Sequence, residues 1–257
     1  MKLTMLLTLG FRNVHKKAAD WLRKTPWNSL FLSLPVESKP FVDAFAQGKI
    51  VEKEFWSNYT LLTGLAEPFV NSLRLRFKPV LDCVRDMYGG DRETHCYQDL
   101  KSHVEEKKIS EKILLLQFRY RATGKLDLQG WRSALLEEIK TLEESWHRSV
   151  NRILEEVEEA RENIILYGGH LQSTKYLSGP DNEVEIILME DHWKSPLDIL
   201  RTILWKHGFD NVSDEKIEPY LKLQKKYLDL IINSKDVDEA HEAWTRIVQK
   251  QTMISIS

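Results

Sequence analysis

Short runs of consecutive apolar residues punctuate this chain, and each run ends at glycine, proline or a charged residue. Continuous apolar character over so few residues is typical of a β-strand that is covered on both faces of a sheet. Four runs have this form and are predicted to share one sheet: Leu3–Leu9, Ser29–Leu34, Ile164–Tyr167 and Val184–Met189. A weaker fifth run, Thr94–Tyr97, follows the turn signal Gly89-Gly90-Asp91.

The segments between these runs show the three-and-four spacing of amphipathic helices. The clearest helix is predicted over Asp127–Arg161, where a single apolar stripe contains Leu128, Trp131, Leu135, Ile139, Leu142, Trp146, Val150, Ile153 and Val157. Further helices are predicted over Val14–Lys24, over a block from Ser38 to about Tyr88 that Gly48 and Gly64 divide, and from Ser195-Pro196 to Gly208.

Helices that alternate with buried strands predict parallel strand pairs joined by right-handed crossovers. The expected fold is therefore α/β, with a small, mostly parallel sheet covered by helices and a large helical insertion at about 38–90. The sequence shows no internal repeat and no Pro/Ser-rich linker. We therefore expect one domain over residues 1–257.

The composition indicates which cellular compartment and which classes of binding partner to expect. The net charge is −2, from 37 basic and 39 acidic residues, so binding to nucleic acid or to an acidic membrane would need a local patch. The two cysteines, Cys83 and Cys96, do not make a disulfide framework and fit a reducing compartment. The apolar start of the chain has no small-residue cleavage site before Arg12 and Lys16, and no apolar run approaches the ~20 residues of a membrane helix. We expect a soluble, cytoplasmic protein whose partner is a small molecule or peptide.

Basic and aromatic residues interleave at two places, around Arg74, Arg76 and Lys78 and around Arg119 and Arg121. Such interleaving can bind phosphate or single-stranded nucleic acid. Solvated helix faces have the same composition, and the balanced net charge favours that simpler interpretation.

Candidate chemistry follows from the expected sheet, because ligands of open parallel sheets bind beyond the carboxyl ends of the strands. The tripeptide Gly168-Gly169-His170 lies at such a place, directly after a predicted strand. Two glycines let the backbone turn sharply or approach a ligand closely. The imidazole that follows could ligate a metal or act as an acid or base near neutral pH. The alternative is a tight strand-to-helix turn in which the histidine caps polar groups.

This part of the chain resembles the TraB/Tiki/ChaN superfamily, which includes erythromycin-esterase-like proteins. Members have an early Gly-x-x-His motif, an acidic residue after the second strand, a helical insertion, and an arginine-bearing helix that leads into a strand ending in Gly-x-Gly-His. The stretch from Arg148 to His170 is similar to the second half of this pattern, and Gly10 with His15 is similar to the first at a wider spacing. The chain departs from the pattern at Tyr167, which replaces a glycine, and at Ser33, where an acidic residue is expected.

The resemblance implies a metal-dependent hydrolase, peptidase-like or esterase-like. His15 and His170 would hold a divalent metal ion, Gly168 and Gly169 would let the backbone approach the bound group, and Arg148 would stabilise developing negative charge. Arg148 lies nearly opposite the apolar stripe of its helix, so a solvated arginine is the simpler alternative. The other alternative for the whole protein is a non-catalytic ligand-binding or interaction protein that keeps the fold with a degraded site.

Overall fold

The computed structural model describes residues 2–8, 11–158, 161–168, 176–177, 182–189 and 194–254, with side chains up to residue 249. Contacts divide the chain into two compact units. The first contains Met1–Lys107 and Leu142–Glu190, and the second contains Lys108–Thr141 and Asp191–Ser257. The expectation of a single domain stays a prediction.

The first unit contains a five-stranded sheet in which every pair is parallel. Its strands are β1 (Lys2–Leu7), β2 (Ser29–Pro35), β3 (Glu93–Gln98), β4 (Asn163–Tyr167) and β5 (Glu183–Leu188). The strand order is β3-β2-β4-β1-β5, and Met5 at the centre of β1 is in register with Ile165 of β4 and Ile186 of β5. The α/β fold class and the shared sheet are therefore confirmed, and the weak fifth run is one of the strands.

Strand β5 differs from the expectation that every strand is covered on both faces. Ile186 is 38% exposed and Leu188 is 52% exposed. β5 is an edge strand with one neighbour, and Glu183 and Glu185 alternate with apolar residues along it. This alternation is the pattern of a partly solvated strand, so the prediction of a fully buried run is wrong here.

The helices of the described chain follow the strands in the expected order. They are α1 (Arg12–Lys24), α2 (Lys39–Ala46), α3 (Glu52–Thr63), α4 (Glu67–Asp86), α5 (Leu100–Thr123), α6 (Leu128–Glu156), α7 (Pro196–His207), α8 (Asp214–Asn233) and α9 (Val237–Ile254). The long helix α6 ends at Glu156, earlier than predicted. Helix α5 was not predicted. Within the described residues, no helix is both long and apolar enough to cross a membrane.

Two layers of helix cover the sheet of the first unit. Residues that alternate along β1 face opposite sides, so Leu6 belongs to the core under α1–α4 while Met5 belongs to the core under α6. On the α6 side, Trp146 is 5% exposed and its ring centroid lies 4.3 Å from that of Tyr167. Burial of this apolar surface is the main stabilising contribution to the sheet.

The second unit is helical and has its own core, in which Trp131 of α6, Leu200 of α7 and Ile217 of α8 are fully or almost fully buried. A buried ion pair lies beside it, because the Arg201 guanidinium donates to both carboxylate oxygens of Glu138 at 2.7 Å. Helix α7 begins as predicted, since Ser195 Oγ accepts a hydrogen bond from the Asp198 amide.

Candidate functional site

Titratable and polar side chains converge near the carboxyl ends of the strands in the first unit. We call six of them the Arg76 cluster: His15 of α1, Tyr59 of α3, Arg76 of α4, Tyr97 of β3, and His103 and Lys107 of α5. The positive charge of Arg76 contributes a downward shift to the pKa of each of the other five. Four helices and a strand therefore deliver these groups to one place.

Arg76 is the centre of the cluster, and it has no acidic partner among the described residues. Its Nε atom is shielded from solvent and makes no hydrogen bond, and its guanidinium carbon lies 5.2 Å from the centroid of the Phe77 ring. Burial lowers the pKa of Arg76, and only the phenols of Tyr59 and Tyr97 oppose this shift. Among the ion pairs of the described residues, none includes Arg76.

Lys107 is the second cation of the cluster. Burial, and then repulsion from Arg76, lowers the pKa of its ammonium group to about 8, while the charge of Glu106 on the same helix raises it. A lysine with a close carboxylate partner would shift in the opposite direction. Repulsion from Arg76 contributes to the shift, so the two cations of the cluster act on each other.

A chain of hydrogen bonds runs through His103. Burial lowers the pKa of His103 to about 3, so its imidazole is neutral near pH 7. Gln98 Oε1 lies 2.7 Å from Nδ1 and can only accept, so Nδ1–H donates to it. Nε2 is then the acceptor for the Tyr59 hydroxyl at 2.6 Å. Tyr59 therefore donates its proton to His103, and its oxygen can only accept from a ligand.

His15 is also neutral and buried. Burial, followed by repulsion from Arg76, lowers its pKa to about 3. Nδ1–H donates to the Phe11 carbonyl at 2.8 Å, which leaves the lone pair on Nε2. The imidazole packs against Phe77 with ring centroids 5.3 Å apart. Phe77 therefore contacts both the His15 ring and the Arg76 guanidinium.

The described charges around His15 oppose the divalent metal ion that the resemblance implies. A neutral histidine with Nδ1–H bound to a carbonyl suits a metal ligand, but the cations of Arg76 and Lys107 oppose a further positive charge. The described residues contain no group of three histidine, cysteine or acidic side chains arranged to hold a metal. The metal-binding role of His15 stays a prediction.

The side chain of Arg148, on α6, contacts Ser102 in the first turn of α5. Its Nη2 donates to Ser102 Oγ at 2.6 Å, and Ser102 in turn donates to Asp99 Oδ2 at 2.7 Å. Burial alone would raise the pKa of Asp99, but hydrogen bonds from Ser102 and the charges of Arg148 and Arg152 lower it overall. No contact between described residues joins Arg148 directly to His15. Its catalytic role stays a prediction.

The glycine motif is described only at its first residue. A Cβ built on Gly168 would lie 4.0 Å from Thr8 Oγ1, an ordinary contact distance, so this position has room for a side chain. Gly169 and His170 lie outside the described residues, and their predicted roles stay predictions.

Most of the Arg76 cluster was missed as a site. The sequence places Arg76 in a basic, aromatic-lined surface together with Arg74 and Lys78. In the structure only Arg74 and Lys78 pair with Glu52, at 2.7 and 2.8 Å. A signal was present in the sequence, because Leu73, Arg76 and Val80 are spaced as one apolar stripe. A charge within such a stripe destabilises the fold unless it is paired, so its presence indicates a partner or a functional role.

Comparisons with models of known protein families, with curated proteins and with solved structures found no match for this chain. The resemblance to the TraB/Tiki/ChaN superfamily therefore stays a prediction.

Proposed function

We propose that this protein binds a small molecule through a carboxylate or phosphate group that Arg76 holds near the carboxyl ends of the strands. One observation carries the proposal: the buried Nε–H of Arg76 has no hydrogen-bond partner. Buried polar groups in native proteins are almost always hydrogen-bonded, so an exception points to a function. The carboxyl edge of an open parallel sheet is also the usual place for a ligand.

A second arginine of the same chain shows what structural pairing looks like. Burial alone would lower the pKa of the Arg201 guanidinium. The carboxylates of Glu138 and Asp198 outweigh this effect and raise the pKa. Its hydrogen bonds to these two residues are 2.7 to 2.8 Å long. The pKa of Arg76 shifts in the opposite direction because burial lowers it and no carboxylate of the described residues pairs with it. A bound oxyanion would give Arg76 the partner that Arg201 already has.

The neighbours of Arg76 suit the rest of a ligand. Lys107 supplies a second cationic donor, and the Tyr59 oxygen can accept a hydrogen bond from a ligand N–H or O–H. His15 and His103 are neutral, so neither competes with Arg76 for the anion. Ligand binding of this kind is the non-catalytic alternative to hydrolysis, and metal-dependent hydrolysis stays a prediction of the resemblance.

Replacement of Arg76 should separate binding from stability. We expect Arg76→Met to weaken binding of sulfate and acetate at least tenfold, while the ligand-free protein loses no stability or becomes more stable, because an uncompensated buried charge is removed. Calorimetric titration and urea unfolding would measure the two effects. Arg74→Met is the matched control, since Arg74 lies on the same helix but pairs with Glu52 at the surface.

Loss of about 3–5 kcal/mol in ligand-free Arg76→Met would instead indicate a structural arginine with a partner, as expected for one broken buried pair. Unchanged sulfate and acetate binding would also contradict the proposal.

Lys107 should make anion binding depend on pH. An anion favours the charged ammonium and should raise its pKa from about 8, so sulfate binding should take up protons near pH 8.5 and weaken as the pH rises further. Titrations in two buffers with different ionisation enthalpies would measure the uptake. We expect Lys107→Met to remove it and Lys108→Met, at an exposed neighbouring position, to keep it. Equal heats for the wild type in both buffers would contradict this role.

A further inference from the structure

We infer that the first unit has a second ligand site at the opposite end of the sheet, and that this site takes a small aromatic carboxylate. A cavity of about 290 Å³ lies beside the amino ends of β2 and β3, lined in part by Trp27, Val84, Tyr88 and Arg92. This volume is at the small end of the range for ligand pockets and suits a molecule of one ring. Neither the cavity nor its lining residues belong to the Arg76 cluster.

Arg92 supplies the recognition of charge. Its guanidinium carbon lies 5.5 Å above the Trp27 ring, and its Nε is shielded from solvent without a hydrogen-bond partner. Contact with the Trp27 ring restrains the guanidinium, and its unpartnered Nε–H is a donor that a planar carboxylate could accept from. Arg92 is in none of the ion pairs between described residues.

The other charged groups around the cavity already have partners. Lys39 Nζ lies 2.7 Å from Asp43 Oδ2, and Thr94 donates to Asp43 Oδ1 at 3.2 Å. Glu93 is more than half exposed and lies 3.8 Å from Arg161, so water and a cation screen its charge. Arg92 is therefore the cation of the cavity wall that can bind an anionic ligand.

The apolar part of the wall indicates an aromatic ligand. Trp27, Val84 and Tyr88 line the cavity; Trp27 and Val84 are buried, whereas Tyr88 is 52% exposed. A ring bound here could cover Tyr88 while its carboxylate meets Arg92. Flat rings of this kind gain from offset stacking as well as from burial.

Benzoate and benzamide are matched probes, because they have nearly the same shape and differ in charge. We expect benzoate to bind at millimolar concentration, with affinity at least tenfold higher than that of benzamide. Arg92→Gln should weaken benzoate binding at least tenfold. Arg85→Gln is the control, since Arg85 also lies over an aromatic ring, at 5.1 Å from Phe45, but pairs with Asp82 at the surface.

Two further variants distinguish benzoate binding in this cavity from benzoate binding at the Arg76 cluster. Tyr88→Ala should weaken benzoate binding without unfolding the protein, because Tyr88 is exposed. In Arg76→Met, the benzoate binding that depends on Arg92 and Tyr88 should persist. If Arg76→Met removes all benzoate binding and Arg92→Gln does not weaken it, benzoate binds at the Arg76 cluster alone and this inference is wrong. Absence of benzoate binding in a wild-type protein that unfolds normally, or equal affinity for benzamide, would also overturn it.

Discussion

Acidification from pH 6.5 to pH 4 should lower the free energy of unfolding by on the order of 5 kcal/mol through His15 and His103 alone. Both imidazoles have a folded-state pKa of about 3, well below the ordinary value near 6.5, because burial excludes the charged form. The unfolded chain therefore binds more protons than the folded chain throughout this range. Stability from these groups is fully present above pH 6.5 and is lost as the pH falls toward 3.

His103→Gln should reduce this loss by about half. A glutamine can accept from Tyr59 and donate to Gln98, as the neutral histidine does, but it cannot take up a proton in acid. Urea unfolding at several pH values would measure the slope. His207→Gln is the control, because His207 is exposed at the end of α7 and should leave the slope unchanged. Equal slopes for wild type and His103→Gln would show that His103 is not buried in its neutral form.

Trp146→Ala should destabilise the protein by about 3–5 kcal/mol, as expected for a large aromatic side chain truncated in a core. Trp146 is 5% exposed and packs between the rings of Tyr97 and Tyr167, with centroid distances of 6.3 and 4.3 Å. The substitution would leave a cavity against the face of the sheet that α6 covers.

Urea unfolding of Trp146→Ala beside His147→Ala would test this expectation. His147 follows on the same helix and is exposed, so its truncation should cost well under 1 kcal/mol. A loss below about 1 kcal/mol for Trp146→Ala would mean that the apolar stripe of α6 is not buried at this position.

The sheet and most helices could be predicted because they follow from local pattern. Continuous apolar runs predicted the strands, and the capping residues Ser195 and Gly208 predicted the two ends of α7. Helix α5 was not predicted because its apolar residues are not confined to one face. Ile109 and Ile113 are buried, whereas Leu115 is 65% exposed and Phe118 is 44% exposed.

The Arg76 cluster could be predicted only in part. His15 was a candidate because the carboxyl ends of parallel strands are expected to carry the chemistry. The other members of the cluster come from α3, α4, α5 and β3, and they meet only through the tertiary fold. The pKa values depend on burial and on Arg76, and neither is a property of local sequence. Arg76 itself lies in an apolar stripe, which is a local signal for a buried charge.

The most direct test of the central claim is the Nε–H resonance of Arg76 in protein that carries ¹⁵N-labelled arginine. If an oxyanion binds at Arg76, addition of sulfate should shift this resonance with saturation, because the unpartnered Nε–H gains an acceptor. The resonance of Arg74, whose Nε donates to Glu52 at 2.7 Å, should not move. An Arg76 resonance that stays fixed at high sulfate, or that drifts without saturation together with all other arginines, would contradict the claim that Arg76 holds an anion.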